Sequence, residues 1–81
     1  MTHSYSPGKP SPEEARKLVL GLFDRSYRKV LLIGPISMEL GRYFSLNETF
    51  WLLEEMLGDG LLRRARRGET ELSDQAAYVR L

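Results

Sequence analysis

The 81-residue sequence predicts an α+β fold, mainly helical, with three helices, a C-terminal β-hairpin and a possible short strand before the second helix. Three observations carry that expectation. Two serine-led helix starts, at Ser11 and Ser45, each open an apolar stripe at helical spacing. The stretch Ser45–Arg67, SLNETFWLLEEMLGDGLLRRARR, reads as a helix, a glycine stop and a strand that runs into an arginine-rich tip. Finally, so short a chain has one core, so nearly every large apolar residue must serve it.

Residues 1–10 form the first division. Polar and aperiodic, with Pro7 and Gly8, they are expected to be a flexible tail, and the one histidine, His3, lies there without ligand-spaced companions. The domain is assigned to residues 11–81. Ser11-Pro12-Glu13-Glu14 supplies a cap, a proline in the first turn and acids that complement the helix dipole. Ala15, Leu18, Val19, Leu22 and Phe23 then recur at helical spacing, predicting a helix from Pro12 to about Ser26. Gly21 inside it costs roughly 1 kcal/mol relative to alanine, so either a neighbour packs close there or the cost is tolerated.

Val30–Ile33 reads as a short strand, with a continuation of the first helix to Leu32 as the rival reading. Pro35 suits the first turn of a second helix running to about Phe44, with Ile36, Leu40, Tyr43 and Phe44 inward. The third helix is marked by Ser45 and Glu48 in a capping-box pattern, with Asn47 as the competing cap. Its stripe is placed on Leu46, Phe50, Leu53 and Leu57, with Met56 and Thr49 at its margin, and Gly58 and Gly60 stop it. Leu18, Leu22, Leu40, Phe50, Leu53 and Leu57 are therefore expected to be buried together. Gly68 reads as the hairpin turn, Thr70–Ser73 as the returning strand with Leu72 at its base, and Ser73-Asp74 as the cap of a final helical turn through Ala76, Ala77 and Val79.

Charge is uneven beneath a net of +1. Residues 46–59 hold four acidic and no basic side chains, whereas residues 60–68 hold four arginines and no acid. Any attraction for an anion must therefore come from a patch. No cysteine is present, which fits a reducing cytoplasm, and no apolar run resembles a secretory signal or a membrane span. A cytoplasmic protein without membrane association is expected. Catalysis finds no support: there is no glycine-rich phosphate loop, no histidine–carboxylate set in the ordered part and no metal-ligand cluster, so neither an enzyme nor a cofactor is expected.

Ile36-Ser37-Met38-Glu39-Leu40-Gly41, Leu46, Phe50, Leu53, Met56-Leu57, Gly60-Leu61-Leu62-Arg63-Arg64 and Thr70–Asp74, in this order of elements, resemble the winged helix-turn-helix family over about residues 12–73. The resemblance implies double-stranded DNA binding by a small transcriptional regulator, plausible as a homodimer. The third helix would enter the major groove and the hairpin would serve as the wing. Asn47 and Thr49 would hydrogen-bond there, and Arg63, Arg64, Arg66 and Arg67, supported by Arg42, would meet phosphates. The third helix, however, presents Glu48, Trp51 and Glu55 opposite its stripe, with Leu52 and Asn47 at the edges and no Lys or Arg. That face supports the alternative, a protein-interaction module contacting a partner or a second copy through Glu48, Trp51, Leu52 and Glu55.

Overall fold

The computed structural model describes residues 9–66, 68–69 and 76–81. Its elements run α1 (Pro12–Arg25), β1 (Val30–Leu32), α2 (Ile33–Leu40), α3 (Leu46–Gly58), β2 (Leu62–Arg64) and β3 (Ala77–Arg80). The three strands form one antiparallel sheet in the order β1-β3-β2.

Local chemistry sets the helix ends. The Ser11 hydroxyl accepts from the Glu14 amide at 3.2 Å and starts α1. Ser45 and Glu48 form the reciprocal capping box of α3: the Glu48 amide donates to Ser45 Oγ at 3.1 Å, and the Ser45 amide donates to Glu48 Oε1 at 2.9 Å. Asn47, the rival cap, lies inside the helix. At the other end Gly60, with φ +77°, donates to Leu57 O at 3.1 Å while Leu61 donates to Met56 O at 3.0 Å. This paired closure needs a left-handed residue, which glycine adopts without a Cβ clash. The stop therefore belongs to Gly60; Gly58 is the last residue of α3.

The strand reading of Val30–Leu32 holds over its helical rival, and α2 follows it without a break. That helix begins two residues before Pro35, so the proline lies in the first turn, where an amide has no intrahelical acceptor. It ends at Leu40, short of the expected Phe44, because the Tyr43 and Phe44 amides both converge on the Leu40 carbonyl, at 2.9 and 2.8 Å.

The largest departure is β3. Ala77–Arg80 forms the central strand where a short helical turn was expected. Tyr78 and Val79 are strand formers, and each is buried on a different face of the sheet, which a single helical turn does not allow. Tyr78 pairs with Leu31 on one side and Arg64 on the other. Ladder-like bonds continue past both ends, from the Ala65 amide to Ala77 O and from the Leu81 amide to Leu61 O. The expected returning strand Thr70–Ser73, Leu72 at its base, the Asp74 cap and the tail before Lys9 lie outside the described residues.

The core lies between the helices and the sheet face that carries Tyr78 and Leu62. It joins Ala15, Val19 and Phe23 of α1, Ile36 and Leu40 of α2, and Leu52, Leu53 and Met56 of α3. Of the six residues expected together, Leu40 and Leu53 are buried, Leu22, Phe50 and Leu57 are half-buried and Leu18 is 38% exposed. The buried stripe of α3 is Thr49, Leu52, Leu53 and Met56, rotated by roughly 80° from the expected one at 100° per residue. Thr49 replaces Leu46 in it, and Leu46 faces solvent.

Candidate interaction surface

That rotation redistributes the candidate residues. Thr49 is fully buried, so its hydroxyl is withdrawn from any DNA groove; its Oγ1 has no hydrogen-bond partner among the described residues. Leu52 is 8% exposed and belongs to the core, not to an outer contact face. Both sites are corrected for the same reason: the inward side of α3 is centred on them. Asn47, Glu48, Trp51 and Glu55 remain exposed, as expected.

Trp51 is 64% exposed, and its ring meets the half-buried Phe50 ring edge-on at 5.4 Å. Beside it a groove of about 810 Å³ runs between the start of α1 and α3, with Phe44 and Leu52 among its apolar walls and Glu14, Glu48 and Glu55 among its charged ones. Lys9 crosses this groove. Its ammonium is 2.9 Å from Glu48 Oε2 and 5.3 Å from the centre of the Phe44 ring. The Ser45 amide, foremost, and then Lys9 hold the Glu48 carboxyl below its ordinary range. On the same side of α3, Arg16 bridges to Asp59 at 2.9 Å and Glu55 at 3.3 Å.

The arginines are divided. Arg63 grips Glu69 through two parallel bonds of 2.8 and 2.7 Å, and the Arg66 amide adds a third at 2.5 Å. Bonding from Arg63 brings the Glu69 carboxyl down to about 2. Arg64 donates to Glu54 Oε1 at 2.7 Å, and the Tyr78 hydroxyl donates to Glu54 Oε2 at 3.2 Å. Burial, with Glu54 adding to it, pushes the Tyr78 hydroxyl up to about 12. Arg42 and Arg66 are exposed and form no side-chain ion pair among the described residues, and Arg67 lies outside them.

Several participants escaped the sequence reading. Lys9 was assigned to the tail and Phe44 to the core, and neither Glu54 nor Tyr78 was given a role. Their partners lie 10 to 39 residues away, as in Arg64–Glu54 and Lys9–Glu48, so no local spacing marks them. Among the described residues no group of three or more His, Cys, Asp or Glu side chains could hold a metal ion, and no helix is long and apolar enough to cross a membrane. Comparison with protein-family models, curated proteins and solved structures found no match to this chain.

Proposed function

We propose that the chain is a winged-helix domain acting as a protein-interaction module, with the exposed face of α3 around Trp51 as its docking surface. Support for the winged-helix assignment is the element order with a three-stranded sheet ordered β1-β3-β2. The single observation that carries the function is the composition of α3: its solvent-facing side carries Trp51 with Glu48 and Glu55 near it and no Lys or Arg. Exposed tryptophan is favoured at protein interfaces, where a large rigid ring anchors binding at small entropic cost.

DNA binding through the wing is the competing reading, favoured by exposed Arg42 and Arg66. Electrostatics weighs against α3 in the major groove. A pair of like charges 4 Å apart costs about 1 kcal/mol in water and about 4 kcal/mol at the lower dielectric of a surface site. The exposed acids Glu48 and Glu55, beside Lys9 and Arg16, would approach phosphates, while Arg63 and Arg64 are already paired with Glu69 and Glu54.

Replacing Trp51 by a photoreactive residue in cells that make the protein tests the proposal. A discrete protein adduct from position 51, lost on Glu55→Lys and absent when the same residue is placed at exposed Arg28, is the expected result. A nucleic-acid adduct from position 51, or no specific adduct, overturns it.

A further inference from the structure

Resting on that reading, the inference concerns the chemistry of the partner. We infer that the groove between the start of α1 and α3 is a seat for a lysine or arginine of a basic, amphipathic partner segment, and that Lys9 fills this seat in the isolated chain.

The cation already in place is the main observation. Lys9 Nζ sits against the Glu48 carboxylate at 2.9 Å and over the Phe44 ring at 5.3 Å. A carboxylate beside an aromatic face is the combination that holds a cation by charge and by the ring quadrupole together. Of the remaining lining, Trp51 offers apolar contact, while Glu14 and Glu55, the latter bridged to Arg16, add negative charge. Glu14 and Glu55 would attract the neighbouring cations of the same segment, and its apolar side would cover Trp51. An acidic segment or a phosphate backbone would meet three carboxylates in the same place.

Lys9 is suited to being displaced. It precedes Ser11, the residue that caps α1, so its withdrawal leaves the cap and the helix intact. Its ion pair with Glu48 is exposed, and such pairs hold weakly. Glu48 keeps its place independently of Lys9, because the capping box with Ser45 fixes it. The seat is thus built by the fold, and Lys9 is only its resident.

The test is titration of the full-length protein with a synthetic peptide of leucine and lysine at amphipathic helical spacing, followed by Trp51 emission. Its controls are the same peptide with glutamate for lysine and a scrambled peptide of the same composition. Saturable change with the lysine peptide alone is expected. Lys9→Ala should tighten it by about two- to fivefold, the weight of one exposed ion pair. Glu48→Gln, which retains the cap, and Glu55→Gln should each weaken it severalfold. No saturable change, an equal response to either control, or unchanged affinity in Lys9→Ala overturns the inference. Should position 51 still yield its protein adduct in that case, the docking surface stands and only the cationic seat falls. Nucleic-acid adducts from position 51 remove both.

Discussion

Arg64 and Glu54 join the first strand after α3 to the helix itself: Arg64 Nη2 donates to Glu54 Oε1 at 2.7 Å. One carboxylate thereby pairs with an arginine that stays exposed, and its second oxygen accepts from the Tyr78 hydroxyl of the central strand. The strand–helix corner is joined by this bond.

Glu54→Gln releases Arg64 while leaving an acceptor for Tyr78. The exposed pair is worth about 0–1 kcal/mol, so the melting temperature should move by only a few degrees. Non-specific affinity for duplex DNA at low salt should rise, because one carboxylate is lost and one arginine gained. A mobility shift on both proteins checks this; equal affinities would mean Arg64 is already available to phosphates.

Thr49→Val should stabilise the domain. The threonine is fully buried with an unpartnered Oγ1 among the described residues, and valine keeps the shape while removing the hydroxyl. A gain of about 1 kcal/mol is expected in denaturant unfolding. A loss of similar size would show that the hydroxyl is bonded in solution.

The core makes a paired prediction. Leu53→Ala, at a fully buried position, should cost about 2–5 kcal/mol, whereas Leu18→Ala on the outer side of α1 should cost under about 1 kcal/mol. Gly21→Ala should gain up to about 1 kcal/mol, since an added Cβ meets only the end of the Arg25 side chain at 3.3 Å. Thermal and denaturant melts of the three variants decide both statements.

The helix starts and the glycine stop were legible in the sequence because they are local: the Ser11 and Ser45 side chains bond backbone three residues on, and Gly60 takes the left-handed conformation that closes α3. The face of α3 was not. Hydrophobicity alone put Leu46 and Leu57 inward, whereas tertiary packing buries Thr49 and Leu52 and leaves Leu46 in solvent. β3 was missed because Ser73-Asp74 and two alanines give a local helical signal. Its true pairing is with strands 14 or more residues earlier, such as Arg64 with Tyr78. The four-arginine run was visible, but the pairing of Arg63 with Glu69 and of Arg64 with Glu54 requires the folded corner.

Acid should loosen the Arg63–Glu69 bridge late. The folded pKa of Glu69, about 2, is lower than its ordinary 4.5, so the bridge's contribution is complete above 4.5 and disappears as pH falls through about 2. Tyr78 behaves oppositely in alkali: raised from 10 to about 12, its neutral form supports the fold below pH 10, and that support is lost as pH rises through about 12. Carboxyl chemical shifts for Glu69 and ultraviolet titration of wild type against Tyr78→Phe read the two midpoints. A Glu69 midpoint at 4.5 would mean the bridge does not persist in solution.

The central claim is that α3 meets protein and not DNA, and Trp51, the one tryptophan of the chain, reports on it directly. The measurement is Trp51 emission during titration with duplex DNA at about 50 mM salt, where electrostatic binding is strong. No saturable change in emission is expected, even if the arginines that follow α3 produce a weak mobility shift. Saturable quenching of Trp51 by duplex would place α3 against DNA and contradict the claim.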